Sequence, residues 1–101
     1  MKERWFELSA AARLDLLQAW NYLAENASFD VADKVLADIE AAIREVAKSP
    51  GLGHQRPDLT SRPLLFYLVH SYLVVYRRDK KPLSVVRVLH AARDAKRLLQ
   101  Q

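Results

Sequence analysis

The chain contains no cysteine. A disulfide framework and thiolate metal sites are therefore excluded, and a reducing compartment suits it. Glycine is scarce: the only two, Gly51 and Gly53, fall in one stretch. No apolar run approaches the roughly 18 residues of a membrane span, so no membrane partner is expected. Met1-Lys2-Glu3-Arg4-Trp5 lacks the apolar core of a secretory leader, which makes a cytoplasmic location the expectation. His54, His70 and His90 are far apart and have no ligand-spaced partners, so no metal is expected. Gly51-Leu52-Gly53 lacks the lysine and following helix of a phosphate loop, and no nucleophile elbow is present. No cofactor is expected.

What is present suits a small globular protein. A chain of 101 residues suffices for one domain, 1–101, with a single core. Hydrophobic residues make up 50% and charged residues 28%, so disorder is not expected. The net charge of +4 is unevenly spread. Residues 1–49 hold six Lys/Arg against nine Asp/Glu, and residues 50–101 hold ten against three, giving balances of −3 and +7. The basic half suits an acidic partner, a nucleic acid or an acidic peptide; the alternative is plain solvated surface.

Periodicity predicts the elements. Trp5-Phe6-Glu7-Leu8 reads as an edge strand, and Ser9 as the N-cap of a helix over about Ala10 to Glu25. Ala12, Leu16, Trp20 and Leu23 mark its apolar side. Asn26-Ala27-Ser28 breaks the helix, and Ser28 or Asp30 caps the next. That helix carries a stripe of Ala32, Val35, Leu36, Ile39, Ile43 and Val46, and stops at Ser49-Pro50-Gly51. The short link makes an antiparallel helical hairpin. Gly51 to Pro63 reads as a long loop, either functional or a plain connector. Leu64–Val69, Tyr72–Arg77 and Leu83–Leu89 read as strands buried on both faces over part of their length, joined by turns at His70-Ser71 and Asp79-Lys80-Lys81-Pro82. A short helix over Ala91 to Leu99 ends the chain. The fold class is α+β: a helical hairpin on a small, mainly antiparallel four-stranded sheet.

The chemistry-bearing residues cluster late. In a regular strand, Arg87 shares a face with Val85 and Leu89, and His90 with Val86 and Val88. A cation inside a central strand needs a partner, and Asp94, Asp15 and Asp79 are the candidates for a structural ion pair with Arg87. His90 and Arg93 fall at the strand-to-helix junction, where His90 is either a general base or a hydrogen-bonded junction residue. Arg56, Arg62, Arg93 and Arg97 are candidates for a guanidinium patch that takes phosphates or carboxylates. Tyr67, Tyr72 and Tyr76 read as sheet packing.

Three pieces of the chain carry a resemblance: Ala12-Arg13-Leu14-Asp15-Leu16, Ser49-Pro50-Gly51-Leu52-Gly53 with Arg56 behind it, and Tyr72-Leu73-Val74-Val75-Tyr76-Arg77 followed by Arg87-Val88-Leu89-His90 and Arg93-Asp94. Together they resemble the RelE/ParE superfamily of bacterial type II toxins, and its ParE branch more closely. The resemblance implies a toxin that traps DNA gyrase with broken DNA, without hydrolytic activity. It also implies neutralisation by a cognate antitoxin in a hetero-oligomer. The RelE alternative implies ribosome-dependent mRNA cleavage, which here would fall to His90, Arg93 and Arg56. A third alternative is an inactive member that only binds antitoxin. The chain departs from the RelE pattern: no tyrosine follows Tyr76, Leu73 stands where those ribonucleases carry arginine, and Leu64–Val69 lacks their lysines. No catalytic residue is therefore expected.

Overall fold

The computed structural model describes residues 5–99; the leader reading of residues 1–4 lies outside them. The elements are β1 (Phe6–Leu8), α1 (Ala10–Asn26), α2 (Phe29–Lys48), a 3-10 turn (Pro50–Leu52), β2 (Leu65–Val69), β3 (Tyr72–Arg77), β4 (Leu83–His90) and α3 (Ala95–Leu99). The sheet order is β1-β4-β3-β2, with β1 parallel to β4 and the other pairs antiparallel. The α+β class and the mainly antiparallel sheet are as the sequence predicts.

Serine sets both long helices. Ser9 accepts from Ala12 N–H at 2.9 Å, and Ser28, rather than Asp30, accepts from Val31 N–H at 3.0 Å. The hairpin is pinned where Trp20 stacks on Phe29 and its indole N–H donates to Asp33 at 2.8 Å. The stripe on α2 packs as predicted, with Val35, Ile39, Ile43 and Val46 buried. On α1 the buried residues are Ala12, Asp15 and Ala19, and the larger Leu16, Trp20 and Leu23 only half-buried. Small residues there let α1 approach β4 closely.

The sheet has apolar cover on both faces. Tyr72, Val74 and Tyr76 of β3 face the helices, while Leu73 and Val75 meet Leu59 of the loop and Ala95 of α3. That division explains the unbroken hydrophobicity of β3.

Regular alternation fails in β4. Val75 pairs with Arg87 and Tyr76 with Val85, so Val86 is an extra, unmatched residue. Such a bulge resets the phase of a strand. Val85 and Val88 therefore both face the helices, and Val86 and Leu89 face the other way. The predicted grouping is corrected on one side of the bulge only: Arg87 parts from Val85 and His90 from Val86, while Arg87 keeps the face of Leu89 and His90 that of Val88. The bulge coincides with the end of β1, where Ser9 accepts no further strand pairing but donates N–H to Val85 O at 3.0 Å and Oγ–H to Val86 O at 2.7 Å. Asp15, further along α1, accepts from Val88 N–H at 2.9 Å. The helix thus satisfies a stretch of strand edge that β1 is too short to cover.

The glycine pair is explained at one position. A Cβ on Gly53 would lie 2.5 Å from the Tyr76 hydroxyl oxygen, whereas Gly51 faces open space. Tyr76 is fully buried; its hydroxyl accepts from Gly53 N–H at 2.9 Å and donates to Pro50 O. Burial holds that phenol above its ordinary pKa, opposed by the Gly53 N–H. The Ser49-Pro50-Gly51-Leu52-Gly53 segment is thereby a turn latched to the middle of the sheet.

Candidate functional site

The cluster predicted at the end of β4 is a corner shared by three elements. Tyr72 pairs with His90 across β3 and β4, and their rings meet edge-on at 5.4 Å. Tyr22, late in α1, lies 4.5 Å beneath the Arg93 guanidinium. The chain leaves β4 without entering a helix at once. Ala91 N–H still pairs with Ser71 O at 2.8 Å, and Arg93 N–H donates to His90 Nδ1 at 3.0 Å. The predicted helix over Ala91 to Leu99 is shortened to Ala95–Leu99: with Ala91 still tied to Ser71, residues 91–94 form a turn closed by Asp94 N–H on His90 O at 2.9 Å, and the helix begins after it.

That bond also fixes the imidazole. An acceptor Nδ1 carries no proton, so the neutral ring carries it on Nε2. In this tautomer His90 has no free lone pair with which to take a proton from a substrate. The Tyr72 hydroxyl is buried with no hydrogen-bond partner among the described residues. Burial raises its pKa, and the Arg93 charge opposes the rise.

The cations of the corner are matched by carboxylates. Arg87 makes two parallel bonds to Asp15, Nε to Oδ2 at 2.8 Å and an Nη to Oδ1 at 2.9 Å. The Asp15 side chain is 7% exposed and that of Arg87 28%. Of the three candidate partners, Asp15 is the one bonded to Arg87; Asp94 adds attraction from nearby, and Asp79 is engaged by Arg77. The Asp15 hydrogen bond raises the Arg87 pKa further. Arg93 and Arg97 share Asp94, at 3.2 and 3.1 Å. Burial alone would raise the Asp94 pKa, but the two guanidinium groups hold it below the ordinary aspartate value.

Arg56 and Arg62 come from the loop between the 3-10 turn and β2, which packs on α3 through Leu59 and Ala95. Both border a shallow loop pocket of about 220 Å³ with Thr60 and Pro63. Arg56 is held by both oxygens of Asp58, at 2.9 and 2.8 Å. Among the described residues no hydrogen bond or ion pair links Arg56 or Arg62 to His90 or Arg93. Arg93 and Arg97 thus share one carboxylate beside His90, and Arg56 is held by another, Asp58, in the loop against α3.

Sequence reasoning placed neither Tyr22 nor Tyr72 in this corner. Tyr72 had a signal, since a tight turn at His70-Ser71 sets it opposite His90. Tyr22 had none, because it arrives through the packing of α1 on β4.

A second surface is apolar. A groove of about 240 Å³ runs between β1 and the two helices, lined by Phe6, Leu8, Leu16, Leu36, Ile39 and Ile43. It lies beside β1, an edge of the sheet. No group of three or more potential metal ligands occurs among the described residues, and no helix there is long and apolar enough to cross a membrane.

Comparison with known proteins gives concordant results. The family model for the ParE toxin of the type II toxin-antitoxin system, parDE, matches residues 6–95. Toxin ParE1 of Caulobacter vibrioides is 28% identical over 91 residues, covering 90% of this chain and 93% of the relative. A solved structure described as a chromosomal ParDE TA system from P. aeruginosa superposes with a TM-score of 0.71, at 16% identity, over 84% of this chain and 92% of that one. At that identity the match speaks for the fold.

Proposed function

The chain belongs to the ParE toxin family of type II toxin-antitoxin systems, and on that premise we propose that it poisons DNA gyrase by binding and is neutralised by a cognate antitoxin. One observation carries the choice of binding over catalysis. In the corner where a ribonuclease would need a free base and free cations, His90 Nδ1 is committed to Arg93 N–H, and Arg87, Arg93 and Arg97 are committed to Asp15 and Asp94. Phosphodiester cleavage requires proton transfer and charge stabilisation at one place. Arg56, the third member of the ribonuclease set, is held by Asp58 in the loop.

The apolar groove supports the antitoxin half of the reading. A groove between helices with an adjoining strand edge suits an amphipathic segment that is disordered alone and folds on binding. The toxin and its antitoxin would then form a hetero-oligomer in the cytoplasm.

Purified chain added to gyrase and relaxed plasmid is expected to block supercoiling and leave cleaved DNA on denaturation. Adding antitoxin is expected to restore supercoiling. Normal supercoiling at excess folded toxin would overturn the proposal. Codon-positioned mRNA cuts in a translation reaction, lost in His90→Ala, would replace it with the ribonuclease reading.

A further inference from the structure

The opposite end of the sheet carries a feature that neither the fold nor the gyrase reading uses. A groove of about 470 Å³ lies at the β3–β4 turn, lined by Trp5, Lys48, Arg78, Lys80, Lys81 and Pro82 among others. Three parts of the chain meet there. Trp5 precedes β1 and is tied down by Leu83 N–H donating to its carbonyl at 3.1 Å. Lys48 ends α2, and the remaining cations belong to the hairpin turn. Among the described residues, Lys48, Arg78, Lys80 and Lys81 form no ion pair. Asp79, the carboxylate within the turn, is occupied by Arg77 at 3.0 Å. Lysines often protect exposed sheet edges, but β3 and β4 are the two central strands, so edge protection does not explain these.

We propose that this groove binds single-stranded nucleic acid, with Lys48, Arg78, Lys80 and Lys81 meeting phosphates and Trp5 stacking on a base. Unpaired cations favour a polyanion. The aromatic selects among polyanions: Trp5 is 51% exposed within the cationic groove, and an indole face stacks on any unstacked base. The acidic residues of a peptide offer no such face, and a duplex keeps its bases stacked internally. The volume is that of a pocket for a small organic ligand, enough to seat one nucleotide unit. The proposal stands apart from the gyrase reading, because no gyrase enters its test.

The test is fluorescence anisotropy of labelled dT12 with the full chain between 50 and 200 mM salt. Four phosphate contacts predict a slope of log affinity on log salt near −3, and an affinity loss of about 50-fold over that range. Lys80→Ala with Lys81→Ala is expected to make the slope shallower by about 1.4. Trp5→Ala, checked for folding by circular dichroism, is expected to weaken binding roughly 5- to 150-fold with the slope unchanged. Arg93→Ala with Arg97→Ala is expected to leave dT12 affinity as it was. Absence of binding by folded chain at 50 mM salt would overturn the proposal. So would a polyglutamate of equal charge binding as tightly as dT12. Equal affinity of the folded Trp5→Ala variant, or an Arg93/Arg97 variant as impaired as the lysine variant, would overturn it too.

Discussion

The two basic ends of the sheet differ in how their charge is held. At the His90 end, Arg87 is bonded to Asp15, and Arg93 and Arg97 divide Asp94 between them. At the hairpin end, Lys48, Arg78, Lys80 and Lys81 form no ion pair among the described residues, and Asp79, bonded to Arg77, only attracts Lys80 from within the turn. The sequence shows only a +7 balance after residue 49. The structure divides that charge into a share neutralised within the fold and a share left for solvent or a partner. Arginine number alone thus does not measure free charge, whereas carboxylate pairing does. The paired end serves architecture; the unpaired end has charge to spend on binding.

The sharpest way to break that contrast is at Asp15. Its carboxylate supports both the Arg87 guanidinium and the Val88 N–H. Asp15→Ala removes both at once and leaves a partly buried cation unpaired. Breaking a buried pair usually costs 3–5 kcal/mol, and partial exposure of Arg87 reduces that to about 2–4 kcal/mol here. Urea unfolding measures it. A loss below about 0.5 kcal/mol, the scale of an ordinary surface substitution, would mean that the His90 end is not architectural.

The next effect concerns the latch between loop and sheet. Tyr76→Phe keeps the ring but leaves the Gly53 N–H and Pro50 carbonyl without their partner. The expected cost is about 1–3 kcal/mol by chemical denaturation. Gly53→Ala is expected to cost a similar amount, about 1–3 kcal/mol, by forcing its methyl onto the Tyr76 hydroxyl. Gly51→Ala serves as the control and should be nearly neutral, since nothing approaches it. A larger loss at position 51 than at 53 would refute the latch.

These positions show what could and could not be read from the chain. The helices were legible because their signals are local: Ser9 and Ser28 cap them, and the stripe on α2 has a strict period. The strands were legible for the same reason, through Tyr72–Arg77 and its neighbours. The bulge at Val86 was not, because it answers to something distant. The edge of β4 changes partner there from β1 to Ser9 and Asp15. Alternation cannot register such a change, so grouping Arg87 with Val85 and His90 with Val86 failed, while the companions beyond the bulge, Leu89 and Val88, were right. The corner was half legible: His90, Arg93 and Arg97 are close in sequence, but Tyr22 comes from another element. That Asp58 holds Arg56 and that the loop packs on α3 through Leu59 was hidden too, since spacing says nothing of where a loop lies.

A third prediction uses pH to probe the paired end. Asp94 has a folded pKa below its unfolded value, so the stability it supplies is complete above the ordinary aspartate range. That share disappears as pH falls through the folded value. Asp94→Asn is expected to cost about 1 kcal/mol at pH 6, a modest figure because Arg93 and Arg97 are largely exposed. The gap between wild type and variant should then narrow below about pH 4. Thermal melts from pH 3 to pH 7 would show it. A gap that stays constant, or widens in acid, would mean that Asp94 does not hold the two arginines.

The smallest effect carries the opposite sign and tests the other half of the comparison. If Lys80 and Lys81 hold no partner within the fold, their removal breaks nothing. It should instead relieve repulsion among Lys48, Arg78 and each other. Lys80→Ala with Lys81→Ala is therefore expected to leave stability within about 0.5 kcal/mol, with any change towards greater stability. Salt gives the control. Repulsion between exposed charges is screened over about 8 Å at physiological ionic strength and about 3 Å at 1 M. Any gain should thus appear at low salt and vanish at high salt. A loss of stability at low salt would show that the lysines are engaged within the fold, and the two ends would then differ only in which carboxylates they use.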